Sequence, residues 1–194
     1  MSSSKNIVIV SGLPRSGTSM MMRMLDAGGV DLLKDDIRTA DEDNPRGYFE
    51  FEPVKDLGKS DDTSWLSKAE GKVIKIVSPL LQHLPLEGYH YKVLFMRRHL
   101  REILASQAKM LERRGEEHDP SGDDAMFHYF VKHIDEIQDY LSGNDCFETE
   151  YFFFREMLGD PLEQARRINA FLGLEKDVTL MASAVDENLY RNRA

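Results

Sequence analysis

Two glycines, Gly12 and Gly17, enclose Pro14, Arg15 and Ser16, and two hydroxyl residues, Thr18 and Ser19, follow directly. A turn of this composition can hold an anion. Glycine lets the backbone wrap closely with no Cβ in the way. The first amides of a helix point into such a turn, with the positive end of the helix dipole behind them. Ile7 to Val10 before the turn is a short β-branched apolar run, suited to a strand buried on both faces. From Thr18 onward Met20, Met21, Met24 and Leu25 recur at helical spacing.

A second junction carries cations. Tyr91 to Met96 is expected to be a strand that runs into Arg97-Arg98, and Leu100, Ile103, Leu104 and Leu111 mark an amphipathic helix after it. Ser106 follows Arg98 by eight residues, about 12 Å if wholly helical, a gap that a long arginine side chain can close. An arginine binds phosphate bidentately and a hydroxyl donates one more bond. Ser106 flanks the apolar stripe beside Ile103 and should border the sheet. Lys75 sits inside another apolar run, Val73 to Val77, closed by Ser78-Pro79. A lysine there either snorkels from a strand edge or serves a site.

The spacing Gly12-x4-Gly17 is that of a nucleotide-binding P-loop, but the lysine usual after the second glycine is missing. The string Leu13 to Ser19 instead resembles the 5′-phosphosulfate loop of sulfotransferases that use 3′-phosphoadenosine 5′-phosphosulfate (PAPS). In Golgi and many bacterial members that loop commonly reads Pro-Arg-Ser-Gly-Thr-Thr or -Ser. Arg98 and Ser106 have the Arg-x7-Ser spacing of the family's 3′-phosphate site. Asn44-Pro45-Arg46-Gly47-Tyr48-Phe49-Glu50 resembles a string found in bacterial members, and Asp160-Pro161 through Phe171-Leu172-Gly173 resembles a packing segment of the family.

The resemblance implies transfer of a sulfuryl group from PAPS to an acceptor hydroxyl or amine, leaving adenosine 3′,5′-bisphosphate (PAP), with no magnesium required. Arg15, the loop amides and Lys75 would hold the sulfuryl and bridging oxygens. Ser16, Gly17, Thr18 and Ser19 would bind the 5′-phosphate, and Arg98 with Ser106 the 3′-phosphate. Tyr190 to Arg193 reads by default as a solvent-exposed basic tail, the alternative being that Arg191 or Arg193 folds back on that phosphate. Cytosolic members carry a catalytic histidine two residues after the lysine, where this chain has Val77, so the proton acceptor stays open. Glu50 ranks first because its aromatic neighbours could shield it from water. Glu52, Asp35, Asp36 and His83 are its rivals.

Around these residues the expected architecture is a single P-loop domain over residues 1–194. It is a three-layer α/β/α fold with a central parallel sheet of about five strands. Residues 31–72 form an irregular excursion, read as a lid or acceptor-site segment or as a solvated loop followed by a short edge strand at Tyr48 to Glu52. Phe127, Phe130, Val131, Ile134, Ile137 and Leu141 mark a later helix, on which His128 and His133 read as surface or core-edge residues. Asp160, Pro161 and Glu163 begin another with a capping box.

Composition bounds the rest. A net charge of −9 argues against a broad basic surface for nucleic acid. One cysteine, Cys146, excludes an internal disulfide and fits a reducing compartment. No metal-ligand pattern and no run of membrane-spanning length is present. With no apolar leader before the first strand, the expectation is a cytoplasmic protein acting on a small or exposed acceptor, or a homo-oligomer that completes the site. Two other classes stay open: a nucleotide or small-molecule kinase with an unusual loop, and a non-catalytic nucleotide-binding module.

Overall fold

The computed structural model describes residues 5–35, 37 and 47–186. Its strands are β1 (Lys5–Gly12), β2 (Leu32–Leu33), β3 (Val73–Lys75), β4 (Tyr89–Arg97) and β5 (Phe147–Phe153). Its helices are α1 (Thr18–Ala27), α2 (Leu100–Arg113), α3 (Asp123–Ser142), α4 (Phe154–Gly159), α5 (Pro161–Leu172) and α6 (Val178–Ser183). The strands form one five-stranded parallel sheet in the order β2-β3-β1-β4-β5. The expected α/β architecture is therefore the observed one.

Strand alternation divides the core into layers. Ile7 and Ile9 of β1 and Tyr91, Val93 and Phe95 of β4 face Ile137 and Leu141 of α3. Val10, Leu94 and Met96 point the other way, onto the methionines of α1 and onto Met157, Ile168 and Met181 of α4, α5 and α6. A third cluster joins Leu13 at the mouth of the glycine turn to Ile103 and Leu104 of α2 and Phe130 and Ile134 of α3. Both sheet faces are covered, which is why the strands read as continuous apolar runs.

The order of the sheet places the site. From β1 the chain moves outward to β2 and returns to β3 on one side, then crosses to β4 and β5 on the other. Connections therefore diverge at the carboxyl ends of β1 and β4, where a crevice opens in folds of this kind. Gly12 is level with Met96 across that crevice, and Val10 is level with Lys75 on the opposite side.

Several local expectations are corrected. Tyr48 to Glu52 forms no strand, because Phe49 adopts a positive φ of 53° that an extended ladder does not admit. The edge strand is the short β2, paired with β3. The strand expected over Val73 to Val77 ends at Lys75, although the Ile76 amide still donates to the Val10 carbonyl. The run Cys146 to Phe154 reads as one strand from sequence, but β5 ends at Phe153 and Phe154 begins α4. The capping box holds in part: Asp160 caps α5 by accepting from the Glu163 amide.

The excursion is also less loose than its composition suggests. Val54, Leu57, Trp65, Leu66 and Ala69 are buried in the same cluster as Ile7, Ile9 and α3. Leu66 is fully buried, so Leu66→Ala is expected to lower the free energy of unfolding by about 2–5 kcal/mol in urea titration. A loss under about 0.5 kcal/mol would mark this segment as a peripheral flap.

Candidate functional site

The glycine turn is closed by packing on both sides. A Cβ at Gly12 would lie 2.5 Å from the Met96 carbonyl oxygen and from Ser16 Oγ, and one at Gly17 would lie 2.6 Å from Phe154 Cδ2. Gly17 is the N-cap of α1, with φ of 106°. Arg15 is also left-handed, with φ of 70°, a conformation rare outside glycine and associated with functional turns. Ser16 is buried, and among the described residues its hydroxyl has no hydrogen-bond partner. Polar atoms that are buried in a turn and aimed at no protein group fit a cradle for a polar ligand.

The arginine corner is wired to this turn. Arg15 Nε donates to Ser106 Oγ at 3.0 Å, and Arg98 Nη1 donates to the Arg15 carbonyl at 3.2 Å. Arg98 Nε donates to Glu102 Oε2 at 3.0 Å, one helical turn on. The Arg98 guanidinium also lies 4.4 Å over the Phe154 ring, the ring that abuts Gly17. Glu102 is fully buried, and its other oxygen accepts from Arg155 Nη2 at 2.6 Å and Nε at 3.1 Å. A carboxylate taken this far from water persists because charged donors meet both oxygens.

The lysine corner lies on the other side of β1. Lys75 is buried, its Nζ donates to the Tyr48 carbonyl, and Glu50 Oε1 stands 3.8 Å away. Glu50 Oε2 faces Lys55 Nζ at 3.6 Å. Phe49 joins the core layer of α1, whereas Phe51 packs on the opposite layer, edge-on to Trp65. The two aromatics thus anchor the chain on opposite sheet faces and pin Glu50 at the carboxyl edge. Among the described residues it faces two ammonium groups, an arrangement the aromatic spacing did not foretell.

The remaining candidates are spread more widely. Asp35 accepts from the Glu52 amide at 2.6 Å, and the Asp35 amide donates to the Glu50 carbonyl at 2.8 Å. Glu52 pairs with Lys55 at 2.7 Å. His83 ends the 3₁₀ turn Ser78–His83, and its ring lies against Gly58. Asp36, Arg191 and Arg193 lie outside the described residues. The structure thus brings Arg15, Arg98 and Ser106 together beside Ser16, Gly17, Thr18 and Ser19, and brings Lys75 and Glu50 together across β1. Among the described residues no group of three or more histidine, cysteine or acidic side chains could hold a metal, and no helix is long and apolar enough to cross a membrane.

Four participants went unread in the sequence. Glu102 had a signal: it follows Arg98 at the i,i+4 spacing of helical ion pairs. Arg155 carried no such mark. Ser78 and His133, whose Oγ and Nε2 are 2.9 Å apart, are 55 positions distant in the chain.

No protein-family model and no curated protein matches the chain. Solved structures do. The sulfotransferase domain of the Synechococcus PCC 7002 olefin synthase superposes with a TM-score of 0.61 at 15% identity, covering 98% of this chain and 81% of that one. A sulfotransferase from Alicyclobacillus acidocaldarius gives 0.60 at 16%, covering 98% of each chain. A mouse sulfotransferase complexed with PAP gives 0.53 at 16%, covering 93% of this chain and 62% of that one. The fold is therefore that of sulfotransferases.

The Glu102 cluster has a testable energetic signature. Glu102→Ala leaves the buried Arg98 cation without its carboxylate and is expected to cost about 3–5 kcal/mol in chemical denaturation. Arg155 is 59% exposed, so Arg155→Ala is expected to cost about 1 kcal/mol or less. Equal losses from the two variants would contradict the assignment of Arg98 as the partner that needs Glu102.

Proposed function

We propose that this chain is a PAPS-dependent sulfotransferase. The observation that carries the reading is the linkage of the two anion-holding corners: Arg98 donates to the Arg15 carbonyl, and the Arg15 side chain donates to Ser106. A donor with a 5′-phosphosulfate and a 3′-phosphate needs two cationic corners at a fixed separation on one sheet edge. The closed glycine cradle and the buried Ser16 hydroxyl also fit such a donor, as does the solved mouse sulfotransferase complexed with PAP.

PAPS, when bound, would supply an activated sulfuryl group with a phosphate leaving group. Ser16, Gly17, Thr18 and Ser19, at the positive end of α1, bind the 5′-phosphate. Arg98 and Ser106 hold the 3′-phosphate, with Arg155 and Glu102 fixing the plane of the Arg98 guanidinium. Arg15 and Lys75 neutralise charge on the sulfuryl and bridging oxygens, the kind of positioning and electrostatic work that dominates in-line group transfer. Glu50, set between Lys75 and Lys55, is better suited to holding Lys75 at the edge than to receiving the acceptor's proton. The acceptor is a hydroxyl or amine that reaches the carboxyl edge near Lys75.

Calorimetric titration with PAP tests the reading. Wild type is expected to bind, and Ser106→Ala to bind about 3–10-fold more weakly through loss of one hydrogen bond to a charged group. Arg98→Ala is expected to bind at least about tenfold more weakly. Thermal stabilisation by magnesium–ATP with none by PAP would replace this reading with a kinase.

A further inference from the structure

The reaction needs a group to take the acceptor's proton. We propose that His133, held by the Ser78 hydroxyl, is that group; the inference rests on the sulfotransferase reading above.

The geometry starts from Lys75. β3 ends there, and Ser78 lies three residues beyond, at most about 10 Å along the chain. The Ile76 amide ties this stretch to the Val10 carbonyl, so Ser78 stays at the carboxyl edge beside the root of the glycine turn. His133 arrives from α3. Its neighbour Ile134 packs in one cluster with Leu13 of the turn. The Ser78 contact therefore brings the imidazole to the carboxyl edge, on the side of the sheet that α3 covers.

The ring is also held in place. Ser78 is fully buried, with its Oγ 2.9 Å from His133 Nε2. Tyr129, one turn earlier on α3, stacks on the imidazole at 6.3 Å with an interplanar angle of 14°. Burial holds the His133 pKa below the ordinary histidine value, while Glu136 on the same helix pulls weakly the other way. From the facing turn the contact is the uncharged Ser78. The imidazole is consequently neutral at pH 7 and able to accept a proton. Three other histidines are engaged differently: His90 faces Glu148, His118 faces Asp123, and His83 lies against Gly58.

In the tautomer whose Nε2–H donates to Ser78 Oγ, the lone pair at Nδ1 receives the proton. The acceptor O–H bond breaks and its electron pair forms the new bond to sulfur. The bond from sulfur to the bridging phosphate oxygen breaks as this happens, and that electron pair departs with PAP. The proton remains on His133 until solvent removes it.

Imidazole NMR on the ¹⁵N-labelled full chain tests the placement without turnover. PAP brings a phosphate dianion to the loop, which favours imidazolium nearby, so the His133 pKa is expected to rise by about half a unit or more when PAP binds. His133→Gln is expected to keep PAP affinity within about threefold. It should lower transfer from PAPS to the probe acceptor phenol by roughly 10²–10⁴-fold, and Ser78→Ala by less. PAP that binds without moving the His133 titration, or equal transfer rates in wild type and His133→Gln, overturns the proposal. Failure of PAP to bind at all removes the sulfotransferase reading itself, which is a separate result.

Discussion

The structure depends on where one guanidinium is held. Arg98 leaves the end of β4 and is fixed on three sides: by the Glu102 carboxylate, by the face of Phe154 and by the carbonyl of Arg15. The first contact belongs to α2, the second to α4 and the third to the glycine turn. A single buried cation thus ties the turn that follows β1 to the elements that follow β4 and β5. Removing any one contact would leave a charged group in a site from which water is largely excluded, and that asymmetry makes buried ion networks hold one arrangement. The left-handed Arg15, a strained conformation, is paid for by these contacts.

The sheet supplies the frame for this clamp. With β1 central and its neighbours reached by connections running in opposite directions, the carboxyl edge opens where Gly12, Met96 and Lys75 come level. The methionine-rich face of α1 seats that helix against Val10, Leu94 and Met96. Its N-terminus is therefore aimed at the crevice. On the other face, the Trp65 and Leu66 segment and α3 cover the sheet and bring Ser78 against His133. One layer thus orients the glycine turn, and the opposite layer shapes the ground beside Lys75.

Much of this was legible because it is local. A β-branched run, a glycine turn and a helical methionine pattern lie within about twenty consecutive residues, and each element follows from short-range sterics and periodicity. The Arg98–Ser106 spacing was legible for the same reason, since a helix converts sequence distance into geometry. The edge at Tyr48 to Glu52 was misread because alternation implies a strand only when φ stays negative. At Phe49 the opposing pull of two core layers wins and the chain turns. The lysine pairing of Glu50 and the Ser78–His133 contact depend on tertiary packing between distant segments. No local pattern encodes them, whereas the Arg98–Glu102 pair was present in the sequence at helical spacing and went unread.

The central claim is that the glycine turn and the Arg98 corner form one preassembled seat for a doubly phosphorylated adenosine. A crystal structure of the chain soaked with PAP tests it most directly. The account expects the 5′-phosphate against the amides of residues 16–19 and the 3′-phosphate between Arg98 and Ser106, with the Glu102 contact to Arg98 retained. A PAP molecule bound elsewhere, or one whose 3′-phosphate lies away from Arg98 while the turn holds the other phosphate, would contradict it.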